Sequence, residues 1–259
     1  NPGVRINMDF IDGLPHQTVQ SFSQTIRRAI QLQPDRLVTF SYAHVPWVNK
    51  SQLLLEKAGL PAGEEKSNMY DTARQLLKEA GYEAVGMDHF VRPDDELFTA
   101  LQTKQLHRNF QGYCPRRTTG QVYAFGVTGI SQLSTAYSQN IKDITAYIET
   151  INQGGFAVTK GYSLSYEEQL TREAIESLMC NGSLDWEELA RQAGISSKTY
   201  RAATAFNPER MNEFASDGLI TWSEHNIQLT PKGAIFVRNV AASLDKLMLH
   251  TTKSFSKPV

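Results

Sequence analysis

Strand-like and helix-like segments alternate through the first half of this chain, and this pattern constrains its fold more than any other feature. Residues 4–10 and 36–42 are typical of strands, and apolar residues at helical spacing follow a helix start at Thr18 between them. Strands joined by helices of this length pair in parallel, with right-handed crossovers. The pattern predicts an α/β sheet or part of an α/β barrel.

The pattern continues to about residue 160 and then changes. We expect a long helix from Pro61 to Gly81, a third strand over 82–87, a fourth over 121–127 and a helix over 141–151. Further on, several helices precede short strands at 219–222 and 227–229, and a last helix begins at Pro231. The predicted domains are a partial α/β barrel (1–160), a small winged-helix-like α+β domain (161–250) and a disordered tail (251–259).

Polar residues gather at the predicted ends of the strands. Asp9, Tyr42 to His44, and Asp88 with His89 each close a predicted strand, so they should converge on one rim of the sheet, where α/β folds bind ligands. Residues 87–114 combine histidines, arginines and carboxylates with Phe90, Phe110 and Tyr113. This mixture predicts a pocket for a large, partly anionic ligand.

The composition of the chain restricts the cellular compartment and the binding partners that we expect. The net charge is −1, which gives no reason to expect nucleic acid or an anionic membrane as partner. No apolar run approaches the roughly 20 residues of a membrane span, and the first residues lack the apolar region of a secretory signal. Two cysteines far apart in sequence predict a reducing compartment without a disulfide framework. We expect a cytoplasmic protein.

Common catalytic motifs are missing, and weaker ones have structural explanations. His44, His89 and His107 lack metal-ligand spacing, so structural or substrate-contacting roles are favoured over a metal site. The sequence has no glycine-rich phosphate loop and no GxSxG elbow, and Cys114 is interpreted as structural. Residues 196–206 could form a DNA-recognition helix, but Lys198 and Arg201 stand among acidic residues. A packing or lid role is favoured.

Six segments extend over almost the whole chain: NMDFIDGLP, PDRLVTFSYAHVP, GYEAVGMDHFVRPDDEL, LHRNFQGY, GVTGIS and LTPKGAIFVRNV. Together they resemble one family closely, the oxygen-independent coproporphyrinogen III oxidases, which are radical S-adenosylmethionine (SAM) enzymes. The resemblance implies decarboxylation of two propionate side chains of coproporphyrinogen III by a SAM-derived radical, giving protoporphyrinogen IX in haem biosynthesis.

The same resemblance implies two SAM molecules, one [4Fe–4S] cluster and an electron donor to that cluster. Family members bind the cluster through a CxxxCxxC loop, which this sequence does not contain. The expectation is therefore an inactive C-terminal portion of the enzyme, without metal-ligating or catalytic residues of its own. A barrel cut in this way exposes a strand edge, so we expect self-association.

The family's contacts transfer to individual positions of this sequence. Asp9 matches an acid that binds SAM, and Ala43 matches a position whose backbone lies near SAM. Phe110, Gln111 and Ile130 match residues around the second SAM and the substrate. His89 and Arg92 are our candidates for binding the propionates. The chain departs from the family at Asp12, where a tyrosine is common.

Two other functions compete with this interpretation. One is a haem- or porphyrin-binding paralogue of the radical SAM superfamily without decarboxylase activity, in which His44, His89 or His107 would be the axial ligand. The other assigns nucleic-acid binding to the winged-helix-like domain.

Overall fold

The computed structural model describes residues 3–110, 112–116, 120–249 and 251. Contacts between residues group the described chain into two compact units that meet at residues 102 and 103. The boundary predicted at 160/161 lies inside the second unit, and the predicted domain division stays a prediction. The tail over 252–259 lies outside the described residues.

The first unit is a four-stranded sheet with helices. Its strands follow the order β1-β2-β4-β3. Neighbouring strands β1 and β2 are parallel, and helix α1 connects them in sequence. The elements are β1 (Asn7–Asp12), α1 (Val19–Gln31), β2 (Arg36–Ser41), a 3₁₀ turn (Lys50–Gln52), α2 (Leu53–Lys57), α3 (Gly63–Glu79), β3 (Glu83–Val85), β4 (His89–Val91) and α4 (Glu96–Gln102).

Helices α1 and α3 cover one face of this sheet. The predicted start at Thr18 is confirmed, since its side chain accepts a hydrogen bond from the backbone of Ser21 in a capping box. Both helices bury apolar residues at helical spacing against strand residues that point the same way. This core consists of Phe22, Ile26, Ala29, Leu37, Met69, Ala73, Leu76, Leu77, Tyr82 and Phe90. Burying each large side chain contributes about 1.5–3 kcal/mol.

The third strand differs from the prediction. Instead of one parallel strand over 82–87, the chain forms a hairpin in which β4 pairs antiparallel with both β2 and β3. Gly86 supplies the turn with φ +65°, a conformation that other residues rarely adopt. Among the described strands, β1 and β2 form the one parallel pair.

The second unit opens with two small antiparallel sheets. These comprise β5 (Leu106–Asn109) with β6 (Gly112–Pro115), and β7 (Ile130–Gln132), β8 (Ala136–Asn140) and β9 (Val158–Ser163), with α5 (Ile144–Asn152) between β8 and β9. The helix predicted over 141–151 is confirmed as α5. The strand predicted over 121–127 is wrong, because Val122 makes an isolated bridge to Gln132 and the residues after it are irregular.

The rest of the second unit surrounds helix α6. Its elements are α6 (Tyr166–Asn181), β10 (Ser183–Asp185), α7 (Trp186–Ala193), α8 (Ser197–Ala203), α9 (Pro208–Ser216), β11 (Ile220–Trp222), β12 (Asn226–Leu229), a 3₁₀ turn (Gly233–Phe236), α10 (Val237–Ala242) and a second 3₁₀ turn (Lys246–Met248). The three strands form an antiparallel sheet in the order β10-β12-β11. The predicted hairpin is confirmed, and β10 is an additional strand.

Helix α6 forms the centre of this part of the core. A capping box of Ser165 and Glu168 begins it, and Leu170, Ala174 and Leu178 are buried along one side. It contacts β5, α8 and α10, so it connects the Leu106–Pro115 hairpin to the C-terminal elements. Among the described helices, none is both long and apolar enough to cross a membrane.

Candidate functional site

The sheet of the first unit has one face that α1 and α3 leave uncovered. Asp9, Val38 and His89 are register partners on three adjacent strands, so their side chains point to this same face. At a strand spacing of about 4.8 Å, Asp9 and His89 lie roughly 10 Å apart. Ile11 and Phe40 lie on the same face and remain more than a third exposed. We call this surface the open face.

Asp9 is the exposed acid of the open face. It lies in the middle of β1, because the strand continues to Asp12, and the prediction that it ends the strand is wrong. Its carboxylate accepts a hydrogen bond of 2.6 Å from the side chain of Asn7. An exposed carboxylate beside an amide can accept hydrogen bonds from the hydroxyl or ammonium groups of a ligand.

The end of β1 is formed by another acid, Asp12, on the side of the sheet that faces the helices. Asp12 is fully buried, and its Oδ1 accepts a hydrogen bond of 2.7 Å from Ser41. Its Oδ2 is buried without a hydrogen-bond partner among the described residues. Burial raises the pKa of Asp12, and the Ser41 hydroxyl and the positive charge of Lys66 oppose this shift only in part.

The residues around the end of β2 differ in part from those predicted to converge there. The backbone N–H of Tyr42 donates to the backbone carbonyl of Asp12, and that of Thr39 donates to the backbone carbonyl of Asp88 in the loop of the hairpin. Tyr42 at the end of β2 therefore lies beside Asp12 and not beside the predicted Asp9, whereas Asp88 lies beside Thr39 because β4 pairs antiparallel with β2. The hydroxyl of Tyr70, on α3, donates to the carbonyl of Met87 at this rim.

The remaining predicted residues of the first unit occupy separate places. His89 contacts Asp88 through Nδ1 at 2.7 Å, whereas Arg92 lies beside the beginning of β2 and donates to the carbonyls of Gln33 and Pro34. The structure thus places Arg92 and Asp12 at opposite ends of the parallel strands. Ala43 is exposed after β2, and its carbonyl accepts a bond of 3.3 Å from Gln52.

In the second unit, Phe110 and Ile130 lie near the same strand pair. The ring of Phe110 is 60% exposed and meets the ring of Tyr137 edge-on at 5.8 Å. Tyr137 pairs with Gln132, and Ile130 lies two residues earlier on the same face of β7. Gln111 lies outside the described residues.

A buried polar cluster next to Phe110 was not predicted. Glu176 of α6 accepts from His107 at 2.6 Å and forms an ion pair with Arg116. Burial alone would raise the pKa of Glu176, but hydrogen bonds and charge from these two partners outweigh it, so the pKa is lowered. Sequence reasoning missed this cluster because Glu176 is distant in sequence from residues 87–114, which we call the signature region.

The three histidines considered as metal or haem ligands already have acidic partners, and potential metal ligands are not grouped among the described residues. His44 contacts Glu56 at 3.5 Å, while His89 and His107 contact Asp88 and Glu176. Among the described residues, no group of three or more His, Cys, Asp or Glu side chains could hold a metal ion. The described residues thus offer a sheet face with an exposed acid and apolar side chains in one unit, and an exposed aromatic ring beside a cluster of paired charges in the other.

Comparison with known proteins shows the family to which this chain belongs. The profile of the HemN C-terminal domain matches residues 164–236. An oxygen-independent coproporphyrinogen III oxidase from Thermostichus vulcanus is 36% identical over 256 residues, which cover 98% of this chain and 78% of that protein. The chain belongs to the family of oxygen-independent coproporphyrinogen III oxidases. The fold class and the resemblance predicted from sequence agree with this assignment at the level of a mixed α/β fold.

Other family members are longer. The enzyme of this name from Helicobacter pylori strain J99 is 36% identical over 252 residues, 97% of this chain and 54% of that protein. The solved structure of coproporphyrinogen III oxidase (HemN) from Escherichia coli, described as a radical SAM enzyme, superposes with a TM-score of 0.84 at 36% identity over 93% of this chain and 55% of that chain. The chain spans about half the length of these two relatives.

Proposed function

We propose that this chain forms part of an oxygen-independent coproporphyrinogen III oxidase, which converts two propionate side chains of coproporphyrinogen III to vinyl groups in the cytoplasm. The observation that carries the proposal is the 36% identity over 98% of the chain to the Thermostichus vulcanus enzyme of that name. In this role the chain binds and positions the substrate and SAM. Positioning of reactants can account for a large part of a catalytic rate.

The open face suits a role in binding SAM. Asp9 is exposed there with a free carboxylate oxygen beside apolar neighbours, and Ala43 follows the adjacent strand. A SAM molecule bound here would supply the radical chemistry that removes a hydrogen atom from the substrate, with an electron from the donor that the family requires. Asp9 would accept hydrogen bonds from SAM, and Phe110 and Ile130 would contact a second molecule. His89 and Arg92 stay candidates for the propionates, although Arg92 already donates to two backbone carbonyls.

The cysteines of the sequence do not fit the [4Fe–4S] cluster that the family uses. Such a cluster is held by closely spaced thiolates, and the chain has Cys114 and Cys180 alone. Cys180 is buried on α6, and burial raises the pKa of its thiol, which disfavours the thiolate needed for ligation.

The architecture supports two finer assignments. The parallel β1–β2 pair, with one face that α1 and α3 do not cover, is what part of an α/β barrel would present. Helix α6, β10, helices α7 to α9 and the β11–β12 hairpin follow one another, with strand order β10-β12-β11, and this succession supports a winged-helix-like domain. In α8, Arg201 donates to the carbonyl of Glu224 and lies over the ring of Phe206, so this domain has a packing role here.

The proposed activity is tested on the protein expressed from its native gene. We expect anaerobic conversion of coproporphyrinogen III to protoporphyrinogen IX that requires SAM, read as porphyrin fluorescence after oxidation. Unchanged substrate in the presence of SAM and reductant would contradict the proposal.

The role of Asp9 is tested by Asp9→Asn, which we expect to weaken SAM binding about tenfold, because it removes a charge-assisted acceptor. Asp71→Asn, an exposed carboxylate on α3, is the matched control and should leave SAM binding unchanged. Equal SAM affinity in both variants and the parent chain would remove Asp9 from the site.

A further inference from the structure

A small cavity opens beside Phe110 in the second unit. It has a volume of about 190 Å³, and its wall includes Arg108, Phe110, Tyr137, Arg172, Ile175 and Glu176. We call it the Arg108 cavity. Two guanidinium groups, two aromatic rings and an aliphatic side chain thus surround one small space.

Arg108 is the unusual member of this wall. Its guanidinium makes no hydrogen bond or ion pair with any described residue, and its Nε is buried from water without an acceptor. Its one contact of note is with the ring of Tyr113, 5.6 Å from the ring centre. A cationic N–H group withdrawn from water without an acceptor is costly, so native structures rarely leave one unpaired. An anion in the cavity would satisfy it.

The other charges in the wall already have partners. Arg172 donates to the carbonyls of Leu133 at 3.0 Å and Ser134 at 2.8 Å. Glu176 accepts from His107 and Arg116, which neutralise its charge. Arg108 is therefore the available charge, and the cavity favours an anionic group.

The size and the walls indicate which anionic group fits. Pockets for whole cofactors or substrates measure about 300–1,000 Å³, so this cavity suits one arm of a larger ligand. The rings of Phe110 and Tyr137 and the side chain of Ile175 can pack against methylene groups, and the guanidinium can pair with a carboxylate at the end of the arm. A carboxyethyl side chain has this composition.

We propose that the Arg108 cavity binds one propionate side chain of the tetrapyrrole, with Arg108 as the partner of its carboxylate. This inference rests on the proposed function for the identity of the substrate. SAM also carries a carboxylate, but an ammonium group lies on the adjacent carbon. Two arginines and a neutralised glutamate disfavour that ammonium, so the cavity selects the propionate.

The test compares porphyrin binding by Arg108→Met and by the parent chain. Coproporphyrin III, the fluorescent oxidised form with the same four carboxylate arms, is titrated against each. We expect Arg108→Met to weaken its binding about 10-fold to 100-fold, the range for a hydrogen-bonded charge pair. Arg108→Lys should recover part of the affinity. Arg191→Met, an exposed arginine of α7, is the matched control and should bind like the parent.

Two further measurements separate this role from a structural one. Methionine keeps the apolar stem and removes an unpaired charge, so Arg108→Met should not lower the melting temperature. Coproporphyrin III tetramethyl ester should bind parent and variant equally because it has no carboxylate. The acid and the ester are both titrated in one dilute detergent, so that the two measurements can be compared.

The proposal is overturned if the parent chain does not bind coproporphyrin III, if Arg108→Met binds it as tightly as the parent, or if the ester shows the same loss. A selective loss of SAM binding would instead assign the cavity to the SAM carboxylate and overturn the propionate assignment. Turnover in the native protein is a separate readout. If turnover is absent while Arg108-dependent binding persists, the proposed function fails and the propionate site stands.

Discussion

Asp9 and Asp12 are three residues apart on one strand, yet their surroundings give their carboxyl groups different properties. Asp9 points to the open face and is exposed, whereas Asp12 ends the strand in a buried position on the helix side. One oxygen of Asp12 accepts from Ser41, and the other has no partner among the described residues. The folded protein therefore bears a free-energy cost for ionising Asp12.

This difference predicts that Asp12→Asn raises the free energy of unfolding by about 1 kcal/mol at pH 7. Burial raises the pKa of Asp12 above its usual 3.8 in the folded state. The folded state then binds the proton more tightly, so the stability contributed by the protonated carboxyl is present at low pH and is lost as pH rises through the folded pKa. The advantage of the variant should disappear below pH 3.8.

Urea unfolding of both proteins at pH 7 and at about pH 3.5 measures this dependence. Asp71→Asn is the control, because its carboxyl group is exposed on α3 and should give no difference at either pH. A variant no more stable than the parent at pH 7 would show that Lys66 and Ser41 compensate the charge of Asp12 fully.

The candidate residues that the sequence analysis selected are those with a local signal, and their roles stay predictions. Asp9 and Phe110 each stand in a motif that resembles a family segment, and both are found exposed beside apolar neighbours. Asp12 was noted only as a departure, because its burial depends on helix α3 packing over the end of β1. Arg108 lies within the signature region, but its lack of a partner emerges only when α6 and β8 surround it.

At the scale of elements, the cluster of His107, Arg116 and Glu176 connects α6 to the β5–β6 hairpin. Glu176 is on the helix, and its two partners lie on and beside the hairpin strands. A second bond supports the same contact, since the hydroxyl of Tyr113 donates to the carbonyl of Met179 at 3.1 Å. The short two-stranded hairpin thus depends on α6 for its position.

Accordingly, Glu176→Gln should lower the free energy of unfolding by about 2 kcal/mol at pH 7. The pKa of Glu176 is lowered from its usual 4.5, because His107 and Arg116 outweigh the effect of burial. The stability it contributes is therefore present above pH 4.5 and is lost as pH falls through the folded pKa. The difference between parent and variant should shrink in acid.

Thermal or urea unfolding across this pH range measures the effect. Glu188→Gln is a suitable control, because its ion pair with Arg191 is exposed and such pairs contribute little. If both variants cost the same, the buried cluster has no special role in attaching the hairpin.

Elements were predicted well where one period persists and poorly where turns interrupt it. Helices α1 and α3 repeat apolar residues at helical spacing over more than three turns, so their existence was clear from sequence. The segment from Glu83 to Val91 contains two strands of three residues around Gly86, too short to show a period. The predicted strand over 82–87 includes Gly86, although this residue forms the turn of a hairpin.

At the scale of the whole molecule, the first sheet leaves strand β1 at an edge. Among the described strands, β1 pairs with β2 alone. Apolar side chains remain exposed along and beside it: Val4 (64%), Ile6 (53%), Ile11 (39%) and Phe40 (38%). An unpaired edge with an apolar face is a template for association with another chain.

We therefore expect the 259-residue chain to self-associate with increasing concentration, with apolar contacts between open faces and strand pairing along β1. Ile11→Lys places a charge on that face next to the edge, which opposes both contacts, and should shift the population towards monomer. Val48→Lys introduces the same charge at a loop residue that is 76% exposed, and should not change the population.

Light scattering after size-exclusion chromatography over a range of concentrations measures the mass. The expected association uses the unpaired edge of β1. A parent chain that stays monomeric at every concentration would show that the open face and β1 are not the contact. An equal change in mass in the two lysine variants would show the same.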